Sequence, residues 1–142
     1  MEPTAKYFGC LSMMVAAEHT RPLVLVVEDD DLLRLTSSLE LSENGFRTVE
    51  ARTADEAIAI LRRCTRIDAL FTDISMPGSM NGLDLAELVR RQRPDTYVLI
   101  TSGDSLPNEA PIPEHSDFVR KPYALSRIAQ MIREQVSASN AS

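Results

Sequence analysis

Polar residues of reactive types stand directly after short apolar runs at four places in the chain. Glu28-Asp29-Asp30 follows Leu23-Val-Leu-Val-Val27, Asp73 follows Ala69-Leu-Phe-Thr72, Thr101-Ser102 follows Tyr97-Val-Leu-Ile100, and Lys121 follows the segment Asp117–Arg120. If these runs are parallel strands, their carboxyl ends share one rim, which is where open α/β sheets carry their chemistry. Carboxylates crowded on one edge repel one another unless a cation neutralises them. A small set of hard oxygen ligands suits Mg2+ (or Mn2+), which keeps bound water and leaves room for a phosphate oxygen. Lys121 then offers a point charge, and Thr101 a hydroxyl, to a tetrahedral oxyanion.

The elements that must position these residues are readable from periodicity. Leu23–Val27 is a continuous β-favouring run, as expected of a strand covered on both faces. Leu32, Leu35 and Leu39 follow at spacings of one helix face, and Asn44-Gly45 is a good left-handed terminus. Asp30 reads as the N-cap of that helix rather than a ligand. Phe46–Ala51 reads as a second strand, and Thr53-Ala-Asp-Glu56 as a capping box that opens a helix with Ala57, Ile60, Leu61 and Cys64 on its apolar side. Strands at 69–72, 97–100 and 117–120, a helix over about 82–93, and a last helix carrying Leu125, Ile128 and Ile132 complete the order. Alternating strands and helices imply an α/β fold, a five-stranded parallel sheet wrapped on both faces. One connection departs from the pattern. Pro107, Pro111 and Pro113 lie between the fourth and fifth strands, and a helix interior does not tolerate that density, so a shortened helix or a proline-rich loop is expected there.

The 142 residues fit one domain, and 44% apolar with 25% charged residues is ordinary for a globular protein. With 21 acids against 15 Lys and Arg and no basic stripe, nucleic-acid binding is not expected. The apolar stretch Tyr7–Ala17 is too short to span a bilayer, and residues 1–21 read as an N-terminal extension of zero net charge rather than a leader. Residues 22–137 then form the domain, and 138–142 a frayed tail. Cys10 and Cys64 make no disulfide framework and match no zinc spacing, so a cytoplasmic location is the simplest expectation, with Cys64 a core residue. His19 and His115 lie outside the rim.

Over residues 22–137 the chain resembles the receiver domains of two-component response regulators. Five motifs in order carry the resemblance: Val-Val-Glu28-Asp29, Thr-Asp73-Ile-Ser-Met-Pro77-Gly78, Asn81-Gly82-Leu, Ile-Thr101-Ser-Gly103, and Phe118-Val-Arg-Lys121-Pro122. The resemblance implies a doubly wound, flavodoxin- or CheY-like sheet of order 2-1-3-4-5. It also implies that Asp73 is the phosphoacceptor, attacking a phosphohistidine with Mg2+ present. Asp29 and Asp73 would bind the metal directly with the main-chain carbonyl of Ser75, and Glu28 through a water. Thr101 and Lys121 would sense the phosphoryl group, Phe118 would be the switch aromatic, and the Lys121–Pro122 bond would be cis. The implied partners are a sensor histidine kinase or histidine phosphotransfer protein docking on the rim and the first helix, with Leu33 toward the rim, and an unknown downstream protein. Neither a membrane nor a nucleic acid is implied, and the unphosphorylated chain is expected to be a monomer.

Some features bear on alternatives. A phosphatase-like hydrolase would need a second Asp two residues beyond the nucleophile for acid catalysis, and that position is Ser75. The complete set Glu28, Asp29, Asp73, Thr101 and Lys121 argues against a degenerate, binding-only receiver. The expectation is therefore a signalling protein rather than an enzyme, with self-phosphorylation from small donors and self-dephosphorylation. No output domain follows the last helix in this sequence, so a single-domain regulator or phosphate sink is expected. The loop between Pro77 and Asn81 is one residue longer than the common spacing, and Gly103 leaves no side chain to shape water attack.

Overall fold

The structure is a computed structural model that describes residues 21–64, 66–103 and 113–141. In chain order the elements are β1 (Leu23–Val27), α1 (Asp31–Glu43), β2 (Arg47–Ala51), α2 (Ala54–Arg63), β3 (Ala69–Asp73), α3 (Gly82–Gln92), β4 (Tyr97–Ser102), β5 (Ser116–Arg120) and α4 (Leu125–Ala141). The strands pair in parallel in the order β2-β1-β3-β4-β5. The sheet therefore reverses direction of travel between β1 and β3, and a parallel sheet opens its ligand crevice at the carboxyl ends beside that reversal.

Burial on both faces explains the unbroken apolar runs. Leu23, Leu25 and Val27 of β1 face one side, against Ala57, Ile60 and Leu61 of α2 and Leu85 and Val89 of α3. Val24 and Val26 face the other, with Phe71 and Leu99, against Leu41 of α1 and Ile128 and Ile132 of α4. Each such side chain contributes roughly 1.5–3 kcal/mol on leaving water, so a one-residue slip of β1 would still bury apolar groups but misplace Glu28.

The helix starts follow their caps. Asp30 Oδ1 accepts from the Leu33 N–H at 2.9 Å, as expected of an N-cap. Asn81 and Asp84 form a reciprocal capping box at the start of α3, at 2.9 and 3.2 Å. Only half of the expected box exists at α2: Thr53 Oγ1 accepts from the Glu56 N–H, but the Glu56 carboxylate reaches back to the Arg52 N–H at 2.8 Å. Gly45, with φ of 93°, ends α1 in the left-handed region after Asn44.

The leucine face of α1 is turned to solvent. Leu32, Leu35 and Leu39 are 72%, 54% and 60% exposed, while Arg34, Ser37, Ser38 and Leu41 face inward. Periodicity finds a stripe but does not say which way it faces. Here Arg34 finds two acceptors on the inner side, the Glu28 carbonyl and Glu50 Oε1, and Ser37 and Ser38 are small enough to sit against the sheet, so the leucines are turned to solvent. Leu33 is half-buried.

Cys64 is buried just past α2, as the apolar spacing implies. The last helix runs on to Ala141, through residues where the sequence predicts fraying. The N-terminal extension to residue 20, and residues 104–112 of the proline-rich connection, lie outside the described residues. Four helices are present among the described residues, and none is long and apolar enough to cross a membrane.

Candidate functional site

Three carboxylates meet at the carboxyl ends of β1 and β3. Glu28, Asp29 and Asp73 place oxygens within 4.8 Å of one another. Glu28 and Asp73 are buried, and Asp29 is exposed above them. The parallel register brings this about: Val27 of β1 lies beside Thr72 of β3, and Asp73 lies beside Thr101 of β4.

Lys121 enters from the end of β5. Its N–H donates to the Ser102 carbonyl at 2.8 Å, which ties the residue to the end of β4. Its Nζ donates to Glu28 Oε1 and to Asp73 Oδ2, both at 3.2 Å. The Lys121–Pro122 peptide is cis. Glu28 Oε2 accepts from the Asp30 N–H at 3.1 Å, so both of its oxygens are engaged. Asp73 differs. Its Oδ1 is buried with no hydrogen-bond partner.

The electrostatics follow from this packing. Burial pushes the Glu28 carboxyl up, and Asp29 and Asp73 add to that, against the Asp30 N–H and Lys121. Burial pulls Lys121 down, but Asp73 and Glu28 more than offset it, and the ammonium is held above its ordinary range. Among the described residues, the three clustered carboxylates thus have one ammonium between them, on Glu28 and Asp73. That deficit of positive charge, the all-oxygen donor set and the unpartnered Asp73 Oδ1 fit a hard divalent cation.

The other residues singled out in the sequence border this cluster in different ways. Thr101 is 1% exposed and lines the packed interior beneath the carboxylates with Glu28, Asp73 and Tyr123. Ser75 is exposed and, with Asp29, Met76, Pro77 and Asn81, lines an open groove beside the cluster. Phe118 is half-buried on the edge strand β5, in register with Ile100 and packed against the core under α2 and α3. Two residues that hold the site were not singled out as such. Gly82 packs its backbone on that of Asp73, a contact that depends on the fold alone. Arg34 donates to the main-chain carbonyl of Glu28; a lone basic residue at helical spacing among Ser37, Ser38 and Leu41 was the available signal.

The comparisons agree with this geometry. The family model of the response regulator receiver domain matches residues 24–133, and the chain belongs to that family. The sensor kinase CckA of Brucella abortus is 29% identical over 117 residues, covering 80% of this chain, and the chain spans only 12% of that kinase. The crystal structure of a receiver domain from the hybrid histidine kinase CckA superposes with a TM-score of 0.68 at 28% identity, over 80% of this chain and 98% of the other. A response regulator receiver protein from Sinorhizobium medicae gives 0.77 at 21% identity, over 84% and 97%. Domains of this family act in two-component systems, receive phosphoryl groups from histidine kinases or phosphotransfer proteins, and bind Mg2+ at an acidic pocket.

Proposed function

We propose that this chain, over residues 22–137, is a phosphoacceptor receiver in which Asp73 takes a phosphoryl group from a phosphohistidine. The carrying observation is the state of Asp73: buried, with Oδ2 on Lys121 and Oδ1 without a partner. An Asp73 carboxylate oxygen attacks phosphorus, the P–N bond to histidine breaks, and the imidazole nitrogen keeps the bonding electron pair. The product is an acyl phosphate. Such a transfer needs positioning and charge neutralisation more than covalent assistance.

Asp29, Asp73 and the Ser75 main-chain carbonyl would hold Mg2+ or Mn2+, with Glu28 reaching it through a water. The ion, when bound, supplies positive charge to the equatorial phosphoryl oxygens. Lys121 would supply a second positive charge, and the Thr101 hydroxyl a hydrogen bond to the new phosphoryl group. Movement of Thr101 toward that group leaves space for Phe118, half-buried at rest, to turn inward.

The donor is a sensor histidine kinase or a histidine phosphotransfer protein, and it docks over the rim and α1. The exposed stripe Leu32, Leu35 and Leu39 supports this reading, because three large apolar side chains on one helix face mark a contact surface. Before phosphorylation the chain is a cytoplasmic monomer. Afterwards it signals to a protein partner or serves as a phosphate sink, and self-phosphorylation from small donors and self-dephosphorylation accompany that role rather than turnover of a substrate. Acetyl phosphate with Mg2+, followed by intact mass, tests the assignment. Wild-type protein gains one phosphoryl group, and a phosphoryl group retained by Asp73→Asn would refute it.

A further inference from the structure

Arg34 is a cation on the inner face of α1, with 8% of its side chain exposed. Burying a guanidinium is costly unless its donors are matched. They are matched to three separate acceptors: Nη1 to the Glu28 carbonyl at 3.0 Å, Nε to Glu50 Oε1 at 3.1 Å and Nη2 to Asp31 Oδ1 at 2.8 Å. The two carboxylates account for the charge. The carbonyl contact is a different matter, because it belongs to the peptide that leads from Glu28 into Asp29.

The Glu28 N–H is held as well, by the Ala51 carbonyl at the end of β2 at 3.1 Å. Glu28 is thus fixed at both of its backbone groups, from β2 on one side and α1 on the other. Its carboxylate and that of Asp29 leave this fixed segment toward Asp73. We propose that Arg34 is a positioning residue for the divalent-cation site, holding the Glu28–Asp29 peptide so that the two carboxylates converge with Asp73. This rests on the cation site of the proposed function.

The sign of the effect separates this role from plain electrostatics. By Coulomb's law alone, removing a positive charge beside a cation site should tighten Mg2+ binding. Loss of positioning should weaken it, by about tenfold or more, as for other partners that orient metal ligands from outside the coordination shell. A planar fork also serves three acceptors that a lysine ammonium cannot.

The test is an Mg2+ titration followed by backbone amide shifts of residues 28, 29 and 73, with thermal unfolding in parallel. Arg34→Met and Arg34→Lys should both weaken Mg2+ affinity about tenfold. Glu50→Gln removes an ion-pair partner but leaves the bond to the Glu28 carbonyl, and should stay within about twofold of wild type. Folded Arg34→Met that binds Mg2+ as well as wild type, or better, overturns the proposal. If that variant does not fold, the same result from Arg34→Lys overturns it. Equal weakening by Glu50→Gln also overturns it, by showing a general loss of packing. A wild-type protein with no Mg2+ response would instead overturn the cation site itself.

Discussion

A Cβ placed on Gly82 would stand 1.9 Å from the carbonyl oxygen of Asp73 and 2.9 Å from the Ile74 Cα. The first residue of α3 therefore lies directly on the end of β3, and its N–H donates to the Ile74 carbonyl at 2.9 Å. Gly82→Ala, at the first helical residue, should gain less than the about 1 kcal/mol of an interior helix position and lose more than that to the backbone clash, which overpacking sets at about 1–3 kcal/mol. Urea unfolding should show net destabilisation, with slower phosphoryl uptake because Asp73 is displaced. A stabilised, fully active alanine variant would contradict the contact.

Lys121 should matter most when no divalent cation is present. It donates to both Glu28 and Asp73, and removing it leaves two buried carboxylates with too little positive charge. Lys121 is 26% exposed, so a loss at the lower end of the range for breaking such pairs, about 1–3 kcal/mol, is expected for Lys121→Met in EDTA. Saturating Mg2+ should shrink that loss, because the ion supplies the missing charge. Unfolding curves with the same penalty in EDTA and in Mg2+ would show that Lys121 and the cation do not share the carboxylates.

The exposed face of α1 yields a prediction in two parts. Leu32, Leu35 and Leu39 contribute little to the core, so changing all three to Gln should shift stability by about 0.5 kcal/mol or less per site. Phosphotransfer from a histidine phosphotransfer protein should fall at least about tenfold, as loss of buried apolar contacts of this size implies. Uptake from acetyl phosphate should stay unchanged. Equal loss with both donors would place the leucines in the fold or the site rather than in docking.

Tyr97 sets a limit at alkaline pH. Burial, then the hydrogen bond to Asp117 at 2.7 Å, pushes its phenol well above the ordinary value of 10.0. Above about pH 10 the unfolded chain gives up that proton and the folded chain keeps it, so the folded state binds more protons and stability falls as pH rises. The slope approaches about 1.4 kcal/mol per pH unit. Tyr97→Phe should flatten it, while losing about 1 kcal/mol near neutrality with the hydrogen bond. An unchanged alkaline slope in the variant would assign the effect elsewhere.

Most of the frame was legible because strands buried on both faces leave unbroken apolar runs, and because Asp30 and Thr53 announce helix starts. The five strands, their order and the convergence of Glu28, Asp29, Asp73 and Lys121 follow from those signals and the family resemblance. The facing of α1 was not legible. Its leucines have core spacing, and only the acceptors waiting for Arg34 on the inner side decide the rotation. The Gly82 contact and the unpartnered oxygen of Asp73 depend on the approach of segments distant in sequence, which periodicity does not encode.

Phosphoryl transfer to this chain depends on the carboxylate of Asp73, and intact mass after acetyl phosphate treatment tests that dependence most directly. Wild-type protein should gain one acid-labile phosphoryl group in Mg2+ and none in EDTA, and Asp73→Asn should gain none in either. Uptake by Asp73→Asn equal to wild type, or uptake that ignores the removal of divalent cations, would contradict the central claim.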